Sequence, residues 1–328
     1  MSERRIALVT GGTGFIGRAL VDALLAQDRI VRVIGRRSVL RWRGNPAVEH
    51  LRADISDTGI IEGALDDVDE VYHLAAATSG DADVYRRVTV EATERLLDTI
   101  AARGGGRVVF VSSASVYDAG ATARGGIIDE DFPLEHDPAA RGLYARAKTE
   151  SEEVARRFLD HPTLKLTIVR PGLVYGPRGK NVLNGVTLSL RGKLLITTGT
   201  PLKLLPLIYI DDLVDALIRI VASDGAVGRI YNLAHPEMPT VGLFLKTYRY
   251  VSGDRRRTVD VPLPKLLPMF SALDRIAIAM GRKSNYSYTA ARLASCPIFS
   301  ADKIRRELGF EPRVGFREGL AKVCADRA

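Results

Sequence analysis

A glycine-rich turn between a strand pattern and a helix pattern constrains this chain more than any other feature. The apolar run at residues 6–9 leads into Thr10-Gly11-Gly12-Thr13-Gly14-Phe15-Ile16-Gly17, and a helical pattern follows. In such a turn Gly11 permits a tight bend, Gly14 lets a ligand approach the backbone, and Gly17 allows the helix to pack closely on the strand. Free N–H groups at a helix N terminus attract anions. The segment therefore predicts a site for the pyrophosphate of a dinucleotide.

The pattern of strands and helices predicts the fold class. Apolar runs at residues 6–9, 30–34, 71–74, 108–111 and 166–169 alternate with helical patterns such as residues 90–100 and 149–158. Continuous apolar runs suit strands buried on both faces, and their alternation with helices is typical of parallel βαβ units. The predicted fold is α/β, a doubly wound parallel sheet of the Rossmann type with a smaller C-terminal substrate lobe.

Glycine and proline punctuation after residue 171 predicts the division into lobes. We expect residues 1–171 and about 205–235 to form the dinucleotide-binding domain, and residues about 172–204 and 236–328 to form the substrate-binding lobe. Further strands are predicted at residues 208–210 and 229–233. They flank a predicted helix at residues 213–221, which Asp211 or Asp212 is expected to cap.

Composition and charge limit the classes of partner. The 328 residues are 46% hydrophobic and 26% charged, as in ordinary globular proteins. The formal net charge of +8 favours an anionic ligand, but the basic residues are dispersed, and the run Arg255-Arg256-Arg257 has no interleaved aromatic residue. No nucleic-acid partner is therefore predicted, and the expected partner is a small-molecule substrate.

Cysteine usage and apolar segments give two more expectations. Cys296 and Cys324 lie far apart, with no Cys or His at ligand spacing, so neither a disulfide nor a metal site is predicted. The N-terminal residues do not look like a signal region, and no apolar stretch reaches about 18 residues. We expect a cytoplasmic protein without a transmembrane segment.

Two arginines favour one form of the cofactor. The second predicted strand ends in Ile34-Gly35-Arg36-Arg37, where an acidic residue would bind the ribose hydroxyls of NAD. Guanidinium groups instead bind a 2′-phosphate with paired hydrogen bonds. NADP is therefore predicted, and NAD stays open because arginines are also common in surface loops.

Further motifs follow in order along the chain. They are Asp54-Ile55, His73-Leu74-Ala75-Ala76, Ser112-Ser113-Ala114-Ser115-Val116-Tyr117, Tyr144-Ala145-Arg146-Ala147-Lys148, Arg170-Pro171-Gly172-Leu173-Val174-Tyr175-Gly176-Pro177, Tyr209-Ile210-Asp211-Asp212 and Leu308-Gly309-Phe310-Glu311-Pro312. Together with the glycine turn, they span nearly the whole chain. In this order and spacing the chain resembles the extended short-chain dehydrogenase/reductase family, also called the NAD-dependent epimerase/dehydratase family.

The resemblance implies a set of cofactor-binding residues. Asp54 and Ile55 are expected to hold the adenine, and Leu74, Ala75 and Ala76 to line the cofactor. The remaining cofactor-binding positions that it implies are Thr13, Phe15, Ile16, Thr89, Pro171 and Val174. Thr89 stands where the family usually carries Asn. Members of the family often form homodimers through helices of the first lobe, so a homodimer is also an expectation.

Tyr144 and Lys148 are the predicted catalytic pair. Because they lie four residues apart, a helix places both side chains on one face. A phenol is a weak base at neutral pH, and a nearby ammonium would favour its phenolate form, so that Tyr144 could exchange a proton with a substrate hydroxyl. The resemblance implies Ser113 as the hydroxyl that orients the substrate oxygen, with Ser112 and Ser115 as alternatives.

Several positions at which this chain differs from the family pattern bear on the reaction. Family dehydratases carry an Asp-Glu pair where this chain has Ala114 and Ser115, so dehydration is the weakest alternative. Sugar-nucleotide members typically carry an Arg where the chain has Leu205 and an Asn near Gly172, and both departures remove polar contacts. The alternative residues that could supply them are Lys203, Arg178 and Lys180.

The region of residues 263–280 is unusually apolar, as in the 3-beta-hydroxysteroid dehydrogenase-like and dihydroflavonol reductase-like branches. Helices of this composition are also common in protein cores. A net dehydrogenase or ketoreductase acting on a secondary alcohol or ketone is favoured. A sugar-nucleotide epimerase and a non-catalytic cofactor-binding module stay open.

Overall fold

The computed structural model describes residues 5–37, 40–57, 59–118, 126–136, 141–179, 186–190, 194–279 and 296–326. Its strands are β1 (Ile6–Thr10), β2 (Ile30–Ile34), β3 (Val48–Leu51), β4 (Glu70–His73), β5 (Gly106–Val111), β6 (Ile127–Ile128), β7 (Leu164–Pro171), β8 (Leu173–Tyr175), β9 (Leu188–Leu190), β10 (Leu194–Gly199), β11 (Leu207–Tyr209), β12 (Ile230–Leu233), β13 (Arg257–Pro262) and β14 (Ile298–Phe299). Its α-helices are α1 (Phe15–Leu25), α2 (Ile60–Ala64), α3 (Ala82–Tyr85), α4 (Ala92–Ala102), α5 (Leu143–Arg156), α6 (Ile210–Ala222), α7 (Val241–Ser252), α8 (Leu263–Ala279), α9 (Asp302–Leu308) and α10 (Phe316–Ala325).

A seven-stranded parallel sheet forms the centre of the molecule, in the order β3-β2-β1-β4-β5-β7-β12. The chain moves outward from β1 to β3 and then returns to add β4 on the other side of β1. At this change of direction the carboxyl ends of β1 and β4 border a crevice, which is where open α/β sheets bind ligands. The predicted doubly wound sheet is confirmed.

Helices cover both faces of the sheet, as the continuous apolar strands require. Apolar side chains of α1 and α6 pack with one face of the sheet, where Leu20 and Leu217 are fully buried. Those of α4 and α5 pack on the other face, where Leu96 and Ala155 are fully buried. This two-sided packing fixes α1 and α5, which begin at the crevice edge and carry the candidate site residues.

In the described residues, strands outside the central sheet form three smaller sheets. β9, β10 and β13 form a three-stranded sheet, β8 pairs with β11, and β6 pairs with β14. A separate apolar cluster that includes Tyr175, Phe244 and Leu320 packs around α7 and α10. Since β12 returns to the central sheet beside β7, we propose the two-lobe division expected from the sequence.

Two local features differ from the sequence-based expectations. The helix after β11 begins at Ile210 and its cap position is Tyr209, so the expected cap by Asp211 or Asp212 is wrong. The Asp212 carboxylate instead accepts hydrogen bonds from the backbone N–H groups of Arg313 and Val314, at 2.9 and 3.0 Å. In addition, a π-helix spans Arg86–Glu91 between α3 and α4. Among the described residues, no helix is long and apolar enough to span a membrane.

Candidate active site

The glycine turn has the geometry that a phosphate-binding loop needs. Gly11 adopts a positive φ of 69°, and a Cβ at this position would lie 2.9 Å from the backbone nitrogen of Ala75. The Gly14 N–H donates to the Gly11 carbonyl at 2.9 Å and closes the turn directly before α1. A Cβ on Gly17 would lie 2.4 Å from the Gly11 carbonyl oxygen. The glycines therefore fit close backbone packing beside a helix N terminus, as a bound dinucleotide pyrophosphate requires.

The predicted 2′-phosphate residues lie beside this turn. A Cβ on Gly35 would meet the side chain of Thr13, so the end of β2 packs directly against the glycine turn. Arg36 and Arg37 follow and are both exposed. One guanidinium nitrogen of Arg36 lies 3.5 Å from the Asp54 carboxylate, although the Arg36 side chain is 68% exposed. Both arginines therefore lie at the edge of the crevice with their charges accessible.

The predicted adenine residues lie next to them. The Asp54 carboxylate accepts hydrogen bonds from the backbone N–H and the hydroxyl of Ser56, at 3.0 and 2.9 Å. Ile55 is buried in the core on the α4 side of the sheet. Hydrogen bonds within its own turn therefore fix the Asp54 carboxylate. The Ile55 side chain is part of the core, so little of it is accessible to a ligand.

The predicted cofactor-lining segment is anchored by a chain of buried hydrogen bonds. The Ala75 N–H donates to the Thr10 hydroxyl at 3.2 Å, and this hydroxyl lies 2.6 Å from Nδ1 of His73. His73 Nε2 lies 2.9 Å from the Thr93 hydroxyl, which donates to the Thr89 carbonyl at 2.5 Å. Because Thr93 uses its proton on that carbonyl, His73 must donate from Nε2 and accept from Thr10 at Nδ1. One directed chain thus links β1, β4 and the π-helix.

Burial keeps His73 neutral. Desolvation, with a smaller effect of the Lys148 ammonium, lowers the pKa of His73 to about 3. The Thr89 side chain completes the arrangement by accepting the Ala77 N–H at 2.9 Å. Thr89 therefore holds the backbone just after Leu74, Ala75 and Ala76.

Four other implied residues lie near the glycine turn, at the edge of the sheet where β7 ends. Phe15 begins α1, and its ring lies next to Gly176 and Gly179. Ile16 and Val174 are partly buried between the two apolar clusters on that side. Pro171 ends β7 at the same edge of the sheet. The structure places these residues along one border of the crevice.

Tyr144 and Ser113 come together across the crevice edge. Tyr144 lies in the first turn of α5, and Ser113 follows β5 in extended conformation. Burial raises the pKa of the Tyr144 phenol from its ordinary value, while a hydrogen bond with Ser113 lowers it and Tyr85 raises it further. Although 38% of the Tyr144 surface is exposed, burial of its hydroxyl is the dominant influence.

The three candidate serines have different surroundings. The Ser112 hydroxyl is buried and donates to the Glu152 carboxylate at 2.5 Å. The Ser115 hydroxyl is buried without a hydrogen-bond partner among the described residues. Ser113 accepts the backbone N–H of Ser115 at 3.1 Å and also meets the phenol of Tyr144. Of the three, Ser113 is the one that shares the site with Tyr144.

Lys148 lies one turn after Tyr144 on α5 and is almost completely buried, with 3% of its surface exposed. Its ammonium donates to the Val111 carbonyl at 2.8 Å and lies 5.3 Å from the ring centre of Phe110. Burial lowers the pKa of Lys148 to about 8, and the Glu152 carboxylate acts in the opposite direction. The sequence-based expectation that Lys148 lowers the pKa of Tyr144 differs from this arrangement, in which the phenol pKa is raised and the ammonium is directed at β5.

The sequence motifs include Arg170 and Tyr117 but predicted no role for them, and they do not include Glu152, although these residues hold this helix. Glu152 and Arg170 are both fully buried and form an ion pair at 2.5 Å. Arg170 also donates to the Tyr117 hydroxyl at 2.5 Å, and Tyr117 donates to the Asn232 amide oxygen at 2.7 Å. A hydrophobic-run pattern carries no signal for such contacts, although Glu152 does continue the four-residue spacing of Tyr144 and Lys148.

Gly172 and Leu205, the two positions that bear on sugar-nucleotide binding, lie close together and are both tightly packed. A Cβ on Gly172 would lie 2.1 Å from the Pro206 carbonyl oxygen, and the Leu173 N–H donates to that oxygen at 2.7 Å. Leu205, the residue before Pro206, is 8% exposed and packs in the apolar cluster of the second region. Neither side chain offers a polar group to a ligand.

A group of possible metal ligands lies next to the motif of residues 112–117, where the Glu135 N–H donates to the Val116 carbonyl at 2.8 Å. Ligand atoms of Asp118, Glu135 and His136 lie within 4.8 Å of one another. His136 Nδ1 is 2.9 Å from the Asp118 carboxylate, so the two side chains are already paired.

Comparisons with known proteins agree with the geometry. The model of the NAD dependent epimerase/dehydratase family matches residues 7–234. The 3 beta-hydroxysteroid dehydrogenase/Delta 5-->4-isomerase of Mycobacterium tuberculosis is 28% identical over 96% of this chain and 88% of that protein. The dTDP-glucose 4,6-dehydratase of Streptomyces antibioticus is 27% identical over 96% of this chain and 90% of that protein.

A solved structure supports the fold. MoeE5 in complex with UDP-glucose and NAD superposes with a TM-score of 0.74 at 24% identity, over 98% of each chain. The matched family model covers more than half of the chain, and the predicted family is confirmed. The chain is an enzyme of the NAD-dependent epimerase/dehydratase family, within the extended short-chain dehydrogenases.

Proposed function

We propose that this enzyme is an NADP-dependent oxidoreductase that interconverts a secondary alcohol and a ketone on an apolar substrate. The observation that carries the substrate class is that no polar side chain stands at Gly172 or Leu205, where Gly172 packs against the Pro206 carbonyl and Leu205 is buried. A buried diphosphate or sugar needs hydrogen-bond partners, and leaving such groups unpaired costs about 1–3 kcal/mol each. An apolar molecule has no such requirement.

Three exposed apolar side chains of α8 support the same substrate class. Leu267, Met269 and Ile276 are 43, 48 and 55% exposed, so these side chains are not part of the protein core. These three positions therefore do not support the alternative that the apolar residues of this segment simply pack in the protein core. Met280 lies outside the described residues. An apolar surface in the lobe proposed to bind the substrate suits an apolar ligand.

The catalytic roles follow from the positions of three side chains. When bound, the nicotinamide supplies or accepts the hydride. In ketone reduction, Tyr144 donates its phenolic proton to the substrate oxygen, and its raised pKa keeps it protonated until then. Ser113 donates a hydrogen bond to the same oxygen and stabilises its developing charge. Lys148 stabilises the phenolate that Tyr144 becomes, and in alcohol oxidation each proton moves in the reverse direction.

The preference for NADP rests on Arg36 and Arg37. Both are exposed beside the glycine turn, where a 2′-phosphate would extend from the adenosine ribose. The solved relative MoeE5 is bound to NAD, so the proposal for NADP depends on these arginines of this chain and not on the likeness.

One experiment tests the reaction class. The enzyme is incubated with NADP+ or NADPH and with a panel of 3β-hydroxysteroids, aliphatic ketones, and UDP-, GDP- and dTDP-sugars, while the absorbance of the reduced nicotinamide is followed. Net absorbance change with a steroid or ketone is expected. Conversion of a sugar nucleotide without net absorbance change would instead establish an epimerase and overturn the proposal.

A variant tests the role of Tyr144. Tyr144→Phe should lower kcat by about 10²–10⁴-fold, the usual contribution of a positioned proton donor, while NADP+ affinity changes little. Tyr250→Phe is the matched control, because Tyr250 is 90% exposed. Turnover by Tyr144→Phe at the rate of the control would refute the assignment.

A further inference from the structure

A third residue continues the catalytic face of α5. Tyr144, Lys148 and Glu152 follow each other at intervals of four residues and therefore share one face of the helix. Each contacts the segment at the end of β5. Tyr144 meets Ser113, Lys148 donates to the Val111 carbonyl at 2.8 Å, and Ser112 donates to Glu152 at 2.5 Å.

The Glu152 carboxylate is fully enclosed by donors. Arg170 donates to it from Nε at 3.1 Å and from Nη2 at 2.5 Å. Arg156, on the next turn of α5, adds a contact at 3.1 Å from a partly exposed side chain. Burial works to raise the pKa of Glu152, but the hydrogen bonds and charge of Arg170 hold it below its usual value. Glu152 is therefore a buried carboxylate anion.

The guanidinium of Arg170 is anchored on the side away from Glu152. It donates to the Tyr117 hydroxyl at 2.5 Å and to the Glu130 carbonyl at 2.9 Å, and it lies 4.6 Å from the ring centre of Tyr117. Arg170 belongs to β7, a strand adjacent to β5 in the central sheet. The carboxylate on the helix is thus tied to two neighbouring strands at once.

A buried ion pair is a poor way to stabilise a fold, because the loss of hydration offsets most of the attraction. Its position on the same helix face as Lys148, one turn further on, points to a different use. We propose that Glu152, held by Arg170 and Ser112, is a positioning residue that fixes α5, and with it Tyr144 and Lys148, against the end of β5. This inference rests on the proposed roles of Tyr144 and Lys148.

The charged groups on the Glu152 side of Lys148 are the Glu152 carboxylate and, bound to it, the guanidinium groups of Arg170 and Arg156. From β4, His73 faces it but is neutral, since burial lowers the pKa of His73 to about 3. From β5, Lys148 meets the uncharged Val111 carbonyl and the Phe110 ring. On its own helix, burial keeps the pKa of Tyr144 raised, so the phenol is also neutral. Glu152 opposes the effect of burial on the pKa of Lys148, which lies at about 8.

The first measurement is the titration of Lys148, followed by NMR on protein labelled with ¹³C-lysine and assigned with Lys148→Arg. Glu152→Gln keeps the size of the side chain and removes its charge, so the midpoint should fall by about one pH unit. Ser112→Ala keeps the charge and should leave the midpoint unchanged. An unchanged midpoint in Glu152→Gln would show that the Glu152 carboxylate does not act on Lys148 across the shared face of α5, and would overturn the inference.

The second measurement separates positioning from charge. With a 3β-hydroxysteroid and NADP+, Ser112→Ala should lower kcat by about tenfold with little change in KM, because it loosens α5 without removing a group that touches the substrate. Ser151→Ala is the matched control, since Ser151 is a buried serine of α5 that donates within its helix, to the Lys148 carbonyl at 3.1 Å. Equal kcat values for the two variants would overturn the positioning role.

Two provisions keep the test decisive. Glu152→Gln leaves Arg170 buried without an anion, so if that variant does not fold, the comparison of Ser112→Ala with Ser151→Ala still decides the positioning role, because neither of these substitutions removes a charge. Failure of the proposed function would give a different result from failure of this inference. If the proposed function is wrong, no variant turns over the steroid, yet the titration midpoint of Lys148 still falls in Glu152→Gln.

Discussion

Replacement of Gly17 by alanine tests the proposal that the turn before α1 holds the cofactor phosphates. A Cβ at this position would lie 2.4 Å from the Gly11 carbonyl oxygen, 2.5 Å from Gly12 Cα and 2.8 Å from the Gly12 carbonyl carbon. Ordinary contacts between such atoms are about 3.5 Å, so each is short by about 1 Å. All three neighbours are backbone atoms, and no side chain can rotate away to make room.

The turn and the helix must therefore separate. Overpacking of this kind costs about 1–3 kcal/mol, and Gly17→Ala should lose that amount of unfolding free energy. The displaced Gly11 carbonyl is also the acceptor of the Gly14 N–H at 2.9 Å, so the shape of the turn changes with it. We expect the Kd for NADP+ to rise by at least about tenfold, equivalent to about 1.4 kcal/mol of binding free energy.

The assay combines urea unfolding with calorimetric titration of NADP+. Gly63→Ala is the matched control, because a Cβ on Gly63, in α2, would meet no atom of the described residues within 4 Å beyond the backbone of its own helix. It should bind NADP+ normally and gain up to about 1 kcal/mol of stability from the higher helix propensity of alanine. If Gly17→Ala loses stability but binds NADP+ within about twofold of the wild type, the turn is not the phosphate site.

Three further predictions concern the cofactor, the buried histidine and the site hydroxyl. Arg36→Ala/Arg37→Ala should weaken NADP+ binding by at least about tenfold and leave NAD+ binding nearly unchanged; equal losses for both cofactors in parallel titrations would contradict the 2′-phosphate role. Because the folded-state pKa of His73 is lowered from 6.5 to about 3, the unfolded chain binds more protons in that window, and stability falls as the pH drops through it. Between about pH 7 and pH 4 this effect is about 3 kcal/mol, and His73→Gln should lose that share of the pH dependence in urea unfolding; an unchanged slope would refute it. Ser113→Ala should lower kcat by about 10²-fold, whereas Ser115→Ala should have a small effect, and the reverse order in steady-state assays would move the catalytic role to Ser115.

The sequence was informative about the central sheet because its strands are buried on both faces. The run at residues 30–34 matches β2, and the other apolar runs match β1, β4, β5 and β7 within a few residues. β3 has no such run, since it lies at the edge of the sheet and carries Glu49 and His50 between its apolar ends. Edge strands need less apolar surface, so hydrophobic patterning detects them poorly.

The candidate site was accessible from sequence only where local spacing encodes geometry. Tyr144 and Lys148 are neighbours on one helix, so their spacing alone predicts a shared face. The choice among Ser112, Ser113 and Ser115 depends on which hydroxyl is already hydrogen-bonded to Glu152. That hydrogen bond is made by Ser112, which lies 40 positions before Glu152 in the sequence. Glu152 and Arg170 are 18 positions apart on different elements, so their pairing is a property of the folded structure.

The charged groups inside the site affect one another's protonation. Lys148 is a buried cation that helps to keep His73 neutral, while Glu152 opposes the loss of the Lys148 proton. A buried cation with a fixed anion on the same helix face keeps its proton more readily than an isolated buried cation does. In the proposed mechanism, the negative charge that develops on Tyr144 during proton transfer would lie one helical turn from this positive charge. The raised pKa of Tyr144 before substrate binding is therefore consistent with a proton donor whose conjugate base is stabilised only when it forms.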